Sequence, residues 1–168
     1  MMPRDEADFA AFVESSYRSL LGLARALTGD WHMAEDLVQA TLERVYRYWN
    51  KDENIRAPYA YARLTLIRMN SSWRSRLWRR EIPTNQIADN SDLVVQRDPH
   101  DQVTLDGALQ RLPISLRNVL VLRFYEDLSV QEVARICGVS TGTVKSRTSR
   151  ALNRLRSDQI LVDSEWAQ

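Results

Sequence analysis

Between residues 145 and 156 stand Lys145, Arg147, Arg150, Arg154 and Arg156, with no acid among them. A second acid-free run holds Arg68, Arg74, Arg76, Arg79 and Arg80. Each run carries +5 on a chain whose net charge is only +1, so the cationic side chains are concentrated and the remainder is acidic. Of the 23 basic residues, 21 are arginine. A guanidinium is planar, always charged and forked, which suits bidentate contact with phosphate and with guanine O6 and N7. Two such patches are the electrostatic footprint of two separate contacts with a nucleic-acid backbone. The chemistry is therefore binding. His32 and His100 are isolated, Cys137 is the sole cysteine, and there is no Gly-rich phosphate loop or metal-ligand cluster. Neither an enzyme, nor a cofactor, nor a metal is expected.

The C-terminal patch is positioned by a recognisable local plan. Ser129 and Glu132 have the spacing of a capping box, which starts a short helix on Val130, Val133, Ala134 and Ile136. Gly138 supplies the positive φ of a tight turn. A second helix then begins with Ser140 or Thr141 as its cap. Val144, Thr148, Ala151, Leu152 and Leu155 form its buried stripe, and the basic residues occupy its other faces. This is a helix-turn-helix, a device for placing one helix in a DNA major groove. Cys137 at its turn reads as a small buried hydrophobe.

Upstream, the 3.6-residue register predicts a helix from about Asp5 to Leu27 with Phe9, Phe12, Val13, Tyr17, Leu20, Ala24 and Leu27 inward. A second helix runs from about His32 to Trp49 on Leu37, Val38, Thr41, Leu42, Val45 and Trp49. After a polar connection, Pro58 opens a third that reaches about Arg80, with Ala62, Leu66, Met69, Trp73 and Leu77 inward. Residues 82–100 read as a flexible linker with a short apolar interlude, Leu93-Val94-Val95. Helices resume with Leu105, Ala108, Leu109 and Leu112 inward, then from Pro113 with Leu116, Val119, Leu120 and Phe124 inward. The fold class is all-α, two small helical domains spanning residues 1–81 and 101–157, followed by a tail over 158–168. Domains this small bury only about 60% of their unfolded surface and are marginally stable.

The chain resembles the extracytoplasmic-function sigma factors, the smallest members of the bacterial sigma-70 family. Residues 34–42, Ala-Glu-Asp-Leu-Val-Gln-Ala-Thr-Leu, look like region 2.2 of that family; Tyr59 to Arg80 look like regions 2.3 and 2.4; Leu112 to Arg156 look like region 4, with Gly142-Thr143-Val144-Lys145-Ser146-Arg147 the strongest signal. The resemblance implies a subunit that selects where RNA polymerase starts and leaves phosphoryl transfer to the polymerase. It implies that Asp36, Gln39, Glu43, Arg44 and Arg47 dock on the clamp helices of the largest polymerase subunit, with the flap as a further contact. It implies that Tyr61, Arg63, Arg68, Asn70, Trp73, Arg74 and Arg76 meet the melted −10 strand, where single-stranded DNA needs backbone charge and π-faces. The register of Trp73 equally allows a core position. Ile67-Arg68 departs from the valine–asparagine pair of many members. Lys145, Ser146, Arg147, Ser149, Arg150 and Arg154 are then the −35 readers, Arg150 foremost for a base edge. An anti-sigma protein that clamps both halves is a further implied partner.

Two rivals differ in class. A dimeric helix-turn-helix repressor or activator would act without polymerase, and a nucleic-acid enzyme would need the catalytic groups found wanting above. No apolar run approaches the roughly 18 residues of a membrane span, and the N-terminus lacks a secretory pattern. A cytoplasmic, nucleoid-associated protein with no membrane contact is expected.

Overall fold

The computed structural model describes residues 6–49, 57–81 and 105–165, with side chains described as far as 73 in the second stretch and 158 in the third. Among these residues there are seven α-helices and no strand. They belong to two compact units that divide between Thr84 and Asn85. The proposed linker, including Leu93-Val94-Val95, and Trp166 lie outside the described residues.

The first unit contains α1 (Glu6–Thr28), α2 (Trp31–Trp49) and α3 (Pro58–Glu81). α1 ends at Gly29, whose φ of 74° reverses the chain, and Asp30 Oδ1 accepts from the Met33 amide to start α2. Leu20, Leu23, Ala24 and Leu27 of α1 pack with Ala34, Leu37, Val38 and Val45 of α2 and with Ala62 and Leu66 of α3, all fully buried. Tyr17 does not join them. The buried stripe of α1 passes through Ser16, Leu20 and Leu23, which leaves Tyr17 40% exposed at the edge of α2. At the far end Phe9 and Phe12 meet Trp49 with ring centroids 5.1 and 5.2 Å away, an aromatic closure of the three-helix core.

The second unit contains α4 (Leu105–Arg111), α5 (Ile114–Leu120), a π-helical turn (Val121–Tyr125), α6 (Val130–Cys137) and α7 (Thr141–Glu165). Leu112, Leu116, Leu120 and Ala151 make one core cluster, joined by Leu109, Leu152 and Leu155. The π-turn changes the expected register. The Glu126 amide bonds back to the Val121 carbonyl, which inserts an extra residue and rotates the next side chains by about 100°. Phe124, expected inside, is consequently exposed, and Leu128 is buried instead. Leu105 is also exposed, because it opens a seven-residue helix that meets the core through Leu109 and the adjacent Leu112.

Arg117 carries no core signal in the sequence, yet it is among the largest fully buried side chains described. Its Nε donates to the Leu109 carbonyl at 2.8 Å, and its Nη2 donates to the carbonyls of Gln110 and Leu112 at 2.8 and 2.9 Å. A cation thus satisfies the carbonyls at the C-terminal end of α4, where the helix dipole is negative. Arg111 Nε donates to Asp158 Oδ2 at 3.1 Å, tying α4 to α7. The backbone of α7 stays helical through Glu165, into residues expected to form a tail.

Candidate nucleic-acid interface

The helix-turn-helix is built as its local chemistry requires. Ser129 Oγ accepts from the Glu132 amide at 3.2 Å, and Glu132 Oε2 accepts from the Ser129 amide at 2.8 Å, closing the capping box. A serine cap of this kind contributes about 1 kcal/mol. Gly138 ends α6 at φ 66°, with its successor's amide bonded to the Ala134 carbonyl. Ser140, of the two alternatives, is the cap of α7, since its Oγ accepts from the Thr143 amide at 3.1 Å. Val133 and Ala134 of α6 and Val144 and Ala151 of α7 are buried. That packing fixes which face of α7 is presented outward.

The outward face carries Lys145, Ser146, Ser149, Arg150 and Arg154, all exposed. Ser146 Oγ donates to the Thr143 carbonyl, so its hydroxyl is held close to the helix. Arg147 is half-buried at the α6 side, near enough to Cys137 for its charge to favour the thiolate. Burial of much of Cys137 acts more strongly and raises the thiol above its ordinary range, which favours the protonated form. No acid lies between Thr141 and Arg156, so the exposed strip is uniformly cationic.

In the first unit, Asp36, Gln39, Glu43, Arg44 and Arg47 all stand exposed on α2, opposite its buried Leu37, Val38, Thr41 and Val45. Beside them runs a groove between α1 and α2. Phe9, Ala10, Val13 and Leu42 make its apolar floor, Tyr17 and Tyr46 its aromatic walls, and Glu6, Glu35 and Glu43 its acidic edge. The inward assignment of Tyr17 hides this groove from a sequence reading. Tyr46 carried a detectable signal, since an aromatic off the buried stripe of α2 has to lie on its surface.

The α3 set divides. Arg68 is exposed; Tyr61, Arg63 and Trp73 are half-buried, with the Arg63 guanidinium 5.9 Å from the Tyr59 ring centroid. Arg74 and Arg76 lie on the helical backbone of α3, outside the described side chains. Asn70 is a correction. Its side chain is 3% exposed because it falls one turn beyond Leu66 on the packed face, which removes it from the DNA-facing set. Its Nδ2 has no hydrogen-bond partner.

Among the described residues no group of three His, Cys, Asp or Glu side chains could hold a metal, and no helix is long and apolar enough to cross a membrane. Family models for Sigma-70 region 2 and for Sigma-70, region 4 match residues 12–80 and 102–155. The chain is 35% identical over 160 residues to the RNA polymerase sigma-E factor of Streptomyces coelicolor, covering 93% of this chain and 88% of that one. It is 34% identical over 154 residues to the ECF RNA polymerase sigma factor EcfG of Rhodopseudomonas palustris, covering 86% and 81%. The chain belongs to the extracytoplasmic-function sigma factors. A solved sigma factor, RpoE of Bartonella quintana in complex with the anti-sigma factor NepR, superposes with a TM-score of 0.68 at 27% identity, covering 90% of this sigma factor and 96% of that one. Region 2 of this family corresponds to the unit with the grooved α1–α2 face, and region 4 to the unit with the helix-turn-helix.

Proposed function

We propose that this sigma factor docks on core RNA polymerase through the exposed α2 face and the adjoining groove, reads the −35 duplex with α7, and holds the melted −10 strand with α3. The observation that carries this reading is the cationic, acid-free face of α7, set outward by a fully capped helix-turn-helix. Asp36, Gln39 and Glu43 supply carboxylate and amide contacts to the clamp helices, and Arg44 and Arg47 extend the ridge. Arg63, Arg68, Arg74 and Arg76 supply backbone charge for the −10 strand, with Tyr61 and Trp73 as π-faces. Stacking and charge together offset the cost of unstacking, a few kcal/mol per extruded base. The flap is a second polymerase contact. The protein works in the cytoplasm on nucleoid DNA, and an anti-sigma factor that covers both units regulates it. A dimeric repressor or activator is not favoured, because such a protein has no need of region 2.

The −35 assignments separate by sequence dependence. Arg150→Ala is expected to relax preference at one −35 base by about 1–3 kcal/mol, roughly 5- to 150-fold in relative affinity. Arg154→Ala is expected to weaken all duplexes alike and to reduce the slope of log affinity against log salt by about 0.9, one phosphate's share. Binding across a −35 base library at several salt concentrations measures both. Identical base profiles for the wild type and Arg150→Ala would remove that residue from the reading set.

A further inference from the structure

We infer that Trp31 anchors the docked clamp helix at the closed end of the α1–α2 groove, where its indole takes an apolar or aromatic side chain of that helix. The inference rests on the docking reading of α2 and adds to it a residue outside the set assigned above. Trp49 is buried and Trp73 half-buried, whereas Trp31 is 56% exposed, the most exposed large hydrophobic side chain described in the first unit. Trp31, Glu35 and Gln39 follow one another at four-residue steps, so the indole stands one turn beyond the groove-lining Glu35 on the same side of α2. The turn at Gly29 joins α1 to α2 there and closes the channel. The channel therefore has an aromatic side chain at each end. Tyr46 and Trp31 stand about 22 Å apart along the axis of α2, the length of about four turns of a partner helix.

The indole is held in place before any partner arrives. The Arg25 guanidinium of α1 lies 5.5 Å from its ring centroid, so a cation covers one face of the ring and limits its rotation. Much of the remaining surface faces solvent. Tryptophan is among the side chains most enriched where a few residues dominate the energy of an interface, and a preorganised one loses little entropy on binding. Charge selects the class of occupant. Exposed Glu35 and Asp36 stand on the next turn of α2, and Glu6 and Glu43 edge the groove further on. These carboxylates repel phosphate, which disfavours an unpaired base as the stacking partner, and they attract a helix whose apolar stripe is flanked by lysine or arginine. Phe9, Ala10, Val13 and Leu42 receive that stripe along the floor, and Trp31 receives its last apolar residue.

The test pairs footprinting with affinity, using the full-length chain and purified core polymerase. Hydroxyl-radical oxidation of Trp31, read by mass spectrometry, should fall on assembly from the rate of an exposed indole toward that of the buried Trp49. Trp31→Ala should weaken association by about 30-fold or more, the loss of an interface anchor. Trp31→Phe, which keeps a π-face, should recover most of it. Both variants should keep the helical content of the wild type at the assay temperature, because the side chain lies outside the core of α1, α2 and α3. Footprinting uses the unaltered chain, so it decides the matter even for a variant that folds poorly. Unchanged oxidation of Trp31 on assembly would overturn the anchor. So would wild-type affinity in Trp31→Ala while Gln39→Arg with Glu43→Arg loses association, a result that leaves the docking reading standing. Wild-type affinity in both would reject the anchor and the docking face together. Protection of Trp31 only after promoter DNA is added would also overturn the anchor, since the indole would then stack on a base.

Discussion

Replacing Arg117 with alanine is expected to unfold the second unit and to abolish −35 binding, although the residue lies inside the protein. Its guanidinium satisfies three backbone carbonyls at the end of α4 and at Leu112, and almost none of it reaches solvent. An acceptor left buried and unsatisfied costs about 1–3 kcal/mol, and removal of so large a side chain adds a cavity. A helical domain of this size holds about 3–5 kcal/mol in total. The loss therefore matches or exceeds the stability available. Arg117→Lys keeps the charge but lacks the planar fork, so it should give an intermediate midpoint. Urea unfolding monitored by circular dichroism, with amide exchange to separate the units, measures the effect. An Arg117→Ala variant that keeps the protection of α5 and α7 would show that other contacts hold this end of the core.

The double substitution Gln39→Arg with Glu43→Arg, which adds one cation and reverses one carboxylate, should reduce association with core polymerase by about 100-fold or more, because like charges brought together at an interface cost several kcal/mol. Both residues are exposed on α2 and line the groove whose edge also holds Glu6 and Glu35. An apolar floor with an acidic edge fits a partner helix that carries basic residues beside an apolar stripe. The substitutions place two cations on the groove and remove one of the three carboxylates of its edge, and they leave the core of α1, α2 and α3 untouched. Thermal unfolding should hence be unchanged while co-sedimentation with core polymerase is lost. Retained association with an intact fold would move the docking surface elsewhere on region 2.

Legibility in the sequence depends on how far each interaction reaches along the chain. The Ser129–Glu132 box, the Gly138 turn and the Ser140 cap involve partners within a few residues, so spacing alone announces them. The buried faces of α2 and α7 were legible because both helices are long and strongly periodic. The inward assignment of Phe124 failed for a physical reason: the π-turn, closed by the Glu126 amide on the Val121 carbonyl, inserts a residue, and a constant 3.6-residue period cannot express it. Arg117 was hidden because an arginine in a helix usually snorkels outward, and its role depends on the carbonyls of a different helix. The break at Pro113 four residues earlier was the available sign that exposed carbonyls needed a donor. Asn70 misled in the opposite sense. Its polarity suggested a surface position, whereas Ala62, Leu66 and Asn70 repeat at four-residue steps along the packed side of α3. The exposed positions Asp36, Gln39, Glu43, Arg44, Arg47, Lys145, Ser149 and Arg150 lie where the helical register places them.

Run-off transcription with purified core polymerase, over a promoter library in which the −35 and −10 elements vary independently, probes the division of labour between the two units at its root. Initiation is expected only when this protein is added, only from templates that carry both elements, and with the −35 preference altered by Arg150→Ala alone among the surface variants. Initiation that proceeds equally well without the protein, or that ignores changes in either element, would contradict that division.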